Sequence, residues 1–195
     1  MVIVLIRHFQ TKGNVERRYI GSTDEAILTE RIHEQRCECY PLAEQVVASP
    51  MKRCMETGAY IYKGQEPYVV EEFKECDFGL FEYKNYEELK DLSIYQAWLK
   101  SRGTLPFPDG ESKEGFKARC VRGFEKAVEH LIRCKVECAA FVIHGGTIMS
   151  ILSAYSDPPS VFYDWQVPNG RGYVAYLDET DWRRETKRLV GIKRL

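Results

Sequence analysis

The chain has 195 residues, 44% of them hydrophobic and 29% charged, and carries a formal net charge of −1. That balance supplies no field for nucleic acid or an anionic membrane surface, and no stretch approaches the roughly 18 apolar residues of a spanning helix. The length suits one domain, residues 1–195, with a core of its own.

The first element is a strand at residues 2–6, a fully apolar run too short for a signal peptide. Residues 9–28 hold Gly13 and Gly21 and little periodicity, so they read as a loop of functional length. A helix follows over 28–39, closed by Pro41, and then a second strand at 45–48. Ser49-Pro50 reads as an N-cap and first helical residue, starting a helix that ends near Gly64. A short third strand covers 68–70. Residues 71–110 form an acidic, aromatic insertion with helical pieces near 86–89 and 95–98. A long amphipathic helix covers 112–132, with Phe116, Cys120, Phe124, Val128 and Leu131 on one stripe. The apolar strand 139–143 ends at His144, and Gly145-Gly146-Thr147 lead to a helix over 148–155. Segments 173–177 and 184–192 read as closing strands. Strands without alternation, separated by helices, imply an α/β fold: a three-layer α/β/α sandwich with a mostly parallel central sheet and a helical lid at 71–110.

Two apolar strands thus end in histidine, as Ile6-Arg7-His8 and Ile143-His144-Gly145. Parallel strands share their carboxyl edge, where α/β sites lie, so two imidazoles and the Arg7 guanidinium meet there. The glycines after His144 let backbone N–H groups approach an anion at a helix start. Arg53 enters the same edge from the first turn of its helix. Each feature alone is weak; their coincidence at three strand ends points to phosphate chemistry. Other phosphatase designs are missing: no cysteine is followed by arginine six positions on, and there is no P-loop. No clustered Asp or His residues suggest a metal site. The seven cysteines fit no zinc or redox spacing, and with no export signal they read as reduced thiols of a cytoplasmic protein.

The joint pattern resembles the histidine phosphatase superfamily, which contains cofactor-dependent phosphoglycerate mutases and many small phosphatases. Its Arg-His signature and following asparagine fall on Arg7-His8 and Asn14. Its Ser-Pro-Leu-x-Arg-x-x-x-Thr segment appears as Ser49-Pro50-Met51-Lys52-Arg53-Cys54-Met55-Glu56-Thr57. Its Glu, four residues before a glycine, is Glu75, and its second His-Gly is His144-Gly145. The resemblance implies that His8 attacks phosphorus, that Arg7, Arg53 and His144 clamp the phosphoryl oxygens, and that Glu75 serves as acid and then base. Asn14, Thr11, Gly21 and Gly145 are the further phosphate contacts it implies, with no metal or cofactor. The chain departs from the pattern at Phe9, where glycine is common and where a ring would line the pocket, narrow it or shift the backbone. It departs also at Ile20, Ile32 and Tyr83, the last replacing the glycine of a frequent Trp-Glu-Gly. The implied activity is hydrolysis of a small phosphorylated metabolite through a phosphohistidine. Tyr19-Ile20-Gly21-Ser22-Thr23-Asp24 and Pro108-Asp109-Gly110-Glu111-Ser112 are similar to α-ribazole-5′-phosphate phosphatases of cobalamin synthesis. The alternatives are a phosphoglycerate mutase and a catalytically weak binding or regulatory member. Monomer and homodimer are equally open.

Overall fold

The computed structural model describes residues 1–195 other than 102 and 185. Six strands form one sheet in the order β3-β2-β4-β1-β5-β6. They are β1 (Val2–Arg7), β2 (Gln45–Ala48), β3 (Tyr68–Val69), β4 (Cys138–Ile143), β5 (Gly172–Tyr176) and β6 (Val190–Arg194). The pairings among β1 to β4 are parallel, and those of β5 with β1 and β6 are antiparallel. The α-helices are α1 (Lys12–Val15), α2 (Ile32–Gln35), α3 (Lys52–Ile61), α4 (Tyr86–Leu89), α5 (Ser93–Lys100), α6 (Lys113–Arg133), α7 (Gly145–Tyr155) and α8 (Glu179–Arg183).

The apolar runs are unbroken because both sheet faces are covered. Ile3, Leu5, Val47, Ala139, Phe141 and Ile143 pack on one face against Phe124, Val128 and Leu131 of α6 and Ile148, Ile151 and Leu152 of α7. Val4, Ile6, Val46, Ala140 and Val142 pack on the other with Cys54 of α3 and Tyr62. This is the expected three-layer α/β sandwich with a mostly parallel sheet. Register sets the site. Arg7 pairs with Ile143 and Ala48 with Val142, so His8, His144 and Ser49 leave the sheet side by side. Among the described residues no helix is long and apolar enough to cross a membrane.

Local starts and stops differ from the sequence reading. α3 begins at Lys52, with the extended Met51 in the N-cap position, so Ser49-Pro50 lie outside the helix. The Ser49 N–H is still bonded to the sheet, at 3.2 Å from Val142 O, and its hydroxyl meets His144 and accepts from the Met51 N–H at 3.4 Å, ahead of the helix. α7 starts at Gly145 with His144 as its N-cap residue, so both glycines lie in the first turn. The loop after β1 contains α1, held by a reciprocal Thr11–Asn14 capping box. The helix expected over 28–39 is a 3₁₀ turn (Thr29–Arg31) and α2, which stops where Arg36 becomes extended. Among the described residues of the final segment, only 190–194 form a strand. Before them Asp178 accepts the Thr180 and Asp181 N–H groups and starts α8.

The insertion has its own small core of Phe81, Leu89 and Tyr95, with Tyr19, Phe78, Trp98 and Phe107 packed on it. Tyr83 adopts a left-handed φ of 56°, which explains why glycine suits this position; a side chain there costs about 1–2 kcal/mol. The Tyr83 hydroxyl donates to Glu25 at 2.8 Å and Arg18 lies 5.1 Å over its ring, offsetting that cost.

Phe9 does not line or narrow the pocket. It is fully buried with Ile27 and Ile32, its ring 5.6 Å from that of Tyr60. The residue is therefore a core anchor for the loop after β1. Phe9→Ala is expected to lower unfolding free energy by about 3–5 kcal/mol, read by urea denaturation, with turnover per folded molecule kept. An unchanged denaturation midpoint would contradict this placement.

Candidate active site

His8 follows the end of β1 and is 4% exposed. Its Nδ1 lies 2.6 Å from the Phe9 carbonyl oxygen. A carbonyl only accepts, so Nδ1 carries the proton and Nε2 presents a lone pair. Burial, then the Arg53 and Arg7 charges, hold the imidazole pKa well below 6.5. The His144 ring is fully buried, 5.2 Å away. Its Nδ1 accepts from Arg53 Nε at 3.3 Å, which leaves Nε2–H to donate to Ser49 Oγ at 2.9 Å. Burial, then Arg53, keep it neutral as well.

Arg53 stands in the first turn of α3, 1% exposed, and donates to the carbonyls of Thr23 (2.8 Å) and Gly21 (3.0 Å). With Nε on His144, three of its five N–H donors are engaged. Arg7 donates from one terminal nitrogen to Val167 O at 2.8 Å. Its Nε is buried with no partner. A Cβ on Gly145 would lie 3.4 Å from that nitrogen, so the Arg7 guanidinium rests against the amino end of α7. An unpaired buried donor costs about 1–3 kcal/mol, and an anionic oxygen at the helix start would relieve it.

Glu75 accepts from the amides of Cys76 (3.0 Å) and Gly146 (3.4 Å). Burial pushes its carboxyl above the ordinary range, against the pull of those amides and of Arg53 and Arg7. A Cβ on Gly146 would strike Glu75 Oε1 at 2.5 Å, so that position needs glycine. Arg119 pins this segment, donating to the carbonyls of Glu72 and Lys74 at 2.8 Å each and forking onto Glu111.

The structure thus gathers Arg7, His8, Arg53, Glu75, His144 and Gly145. It uses Thr11, Asn14 and Gly21 differently. Thr11 is fully buried and caps α1. The Asn14 carbonyl oxygen accepts from the Thr11 N–H and from Asn169, leaving only its amide nitrogen to offer. The Gly21 N–H is taken by Glu82 and its carbonyl by Arg53; a Cβ there would run into the Cys76 carbonyl. Ile20 is buried against Gly13.

Sequence reading missed several supports. Ser49 orients His144. Asn169 holds the His8 carbonyl at 2.9 Å, and Thr57 accepts from the Phe9 N–H at 3.0 Å. Glu82 ties the N–H groups of Gly21 and Thr23 to the lid. Glu82 and Thr57 lie inside motif strings, which was their only signal; Asn169 and Arg119 had none.

A cavity of about 740 Å³ opens onto Arg7, Glu75, Gly145 and Gly146, with walls that include Tyr19, Phe78, Trp98, Phe107, Phe116 and Tyr163. His8, Arg53 and His144 are buried and do not line it. A second cavity of about 680 Å³ reaches Glu75 past Asp24, Asp77 and Glu111. Among the described residues no three His, Cys, Asp or Glu side chains converge as metal ligands.

Two imidazoles, two guanidiniums and one carboxyl at the edge of a mostly parallel sheet define a phosphate-handling α/β protein. The sequence matches the model of the histidine phosphatase superfamily (branch 1) over residues 3–189, and the chain belongs to that superfamily. The fold is similar to that of the α-ribazole phosphatase from Shigella flexneri, with 19% identity, a TM-score of 0.75 and coverage of 92% of each chain. It is also similar to TTHB049 from Thermus thermophilus, with 24% identity, a TM-score of 0.68, and coverage of 100% of this chain and 99% of that one. No curated protein sequence matches significantly.

Proposed function

We propose that the chain is a metal-independent phosphomonoesterase acting on a small phosphorylated metabolite through a phosphohistidine. The observation that carries this reading is the 2.6 Å contact of His8 Nδ1 with the Phe9 carbonyl oxygen, which leaves Nε2 as the free nitrogen of an imidazole whose pKa is lowered by burial and by the Arg53 and Arg7 charges. Nε2 attacks phosphorus and forms the N–P bond as the ester P–O bond breaks. The leaving oxygen takes the proton of the Glu75 carboxyl. A water then gives its proton to the Glu75 carboxylate and attacks phosphorus, breaking the N–P bond and releasing inorganic phosphate. Arg7 and Arg53 neutralise the transferring oxygens, which supplies most of the catalysis in phosphoryl transfer. Neutral His144 donates from Nε2, so its hydrogen bond shifts from Ser49 to the phosphoryl group when the ester enters.

Hydrolysis is favoured over a mutase reaction because Arg7 and Lys113 are the cationic residues lining the cavity among those described, few for a bisphosphate. The presence of both nucleophile and acid weighs against a pure binding protein. The likeness to the Shigella flexneri enzyme makes α-ribazole 5′-phosphate the first metabolite to assay. Turnover of p-nitrophenyl phosphate is expected to persist unchanged in excess EDTA; activity that disappears with the chelator and returns with a divalent cation would contradict the mechanism.

A further inference from the structure

Lys113 is placed against local preference. It occupies the first position of α6, a helix of 21 residues, directly after the Ser112 N-cap. The positive end of a helix dipole disfavours a cation there. None of the ion pairs among the described residues involves it. Its ammonium lies instead 4.8 Å from the centre of the Phe162 ring and 4.6 Å from that of Tyr163. Ring faces orient an ammonium without neutralising it, so its charge is kept for something else. The two ring faces offset the dipole penalty and hold the ammonium at the cavity wall, without an ion pair among the described residues.

The same helix fixes where that charge sits. Phe116 packs beside Gly146 and Glu75, at the reactive end of the cavity. Lys113 is three residues earlier, close to one turn, or about 5 Å, farther along the axis. Phe78, Trp98 and Phe107 line the same cavity, with Trp98 and Phe107 stacked 4.9 Å apart. An ester whose phosphate sits at Arg7 therefore shares one cavity with these aromatic side chains and with the Lys113 ammonium.

Resting on the phosphatase reading, we propose that the preferred substrate is a monophosphate ester with a planar, apolar body and a second anionic group, which Lys113 receives in the same cavity, about one helical turn from Phe116. Such a compound differs from α-ribazole 5′-phosphate, whose ring end is uncharged. Lys113 is then a specificity residue, and its effect depends on the substrate.

The test compares phenyl phosphate with 3- and 4-carboxyphenyl phosphate, alongside binding of the matching non-hydrolysable phosphonates by calorimetry. At least one carboxylated ester is expected to show kcat/KM about 10-fold or more above phenyl phosphate, in line with a charge-assisted hydrogen bond. Lys113→Met should remove that advantage while leaving phenyl phosphate within about 2-fold, and Lys113→Arg should restore most of it. Equal kcat/KM for all three esters, or an equal loss for all three in Lys113→Met, overturns the proposal. If no ester is hydrolysed but the carboxylated phosphonate still binds more tightly through Lys113, the phosphatase reading fails while the anion site stands. Equal binding of the phosphonates removes the site.

Discussion

His8→Ala is expected to lower hydrolysis of any phosphate ester by about 10⁴-fold or more, because it removes the atom that forms the covalent intermediate. Arg7, Arg53 and His144 remain to bind phosphate, so binding of an inert phosphonate should survive. The same variant carries a pH signature. His8 and His144 are both held neutral, with pKa values well below 6.5. As pH falls through 6.5 the unfolded chain takes up protons that the folded chain refuses. Stability conferred by the neutral rings is therefore present above 6.5 and is lost on acidification, by up to about 1.4 kcal/mol per pH unit for each ring. His8→Ala should make the fall of Tm between pH 7 and 5 shallower than in the parent. A parallel fall would show that the His8 imidazole is not held neutral.

Glu75→Gln produces a loss that depends on the leaving group. For alkyl phosphates, whose alkoxide needs a proton, kcat should fall by about 10²–10⁴-fold. For p-nitrophenyl phosphate the leaving phenolate needs little help, so the first step should be much less affected. Hydrolysis of the phosphoenzyme still lacks its base. The expected result is a burst of p-nitrophenolate equal to the enzyme, followed by slow turnover. The parent should also lose alkyl-ester activity as pH rises through the raised pKa of Glu75, since the protonated carboxyl is the proton donor; the glutamine variant should lack that limb. An equal loss for both substrate types, with no burst, would take the acid–base role from Glu75.

How much of this was legible depended on whether a feature was local. β1 and β4 carry unbroken apolar runs because both sheet faces are covered, and a parallel register then places His8 beside His144 without further information. Arg53 was legible for the same reason: a helix that follows a strand starts at the same edge. Glu75 rested on the family motif alone, since its loop is held by Arg119 from α6, a contact 44 residues distant that leaves no pattern in the chain. The Ser49 cap was misread because propensity assigns a side chain to its own neighbourhood, and the Phe9 ring was expected at the pocket because it stands beside the Arg-His signature. In the fold the Ser49 hydroxyl bonds His144, 95 residues away, and Phe9 packs on Ile27 and Ile32. Thr11 and Asn14 were expected at phosphate but form a capping box, a local signal that the motif obscured.

In the proposed mechanism His8 carries the phosphoryl group. The most direct measurement mixes the protein with a phosphate ester, quenches it in alkali within milliseconds, and maps the modified peptide by mass spectrometry. One phosphoryl group per molecule is expected, stable in alkali and lost in acid, bonded to Nε2 of His8 and absent from His8→Ala. Turnover without a phosphorylated intermediate, or phosphate on any other residue, would contradict it.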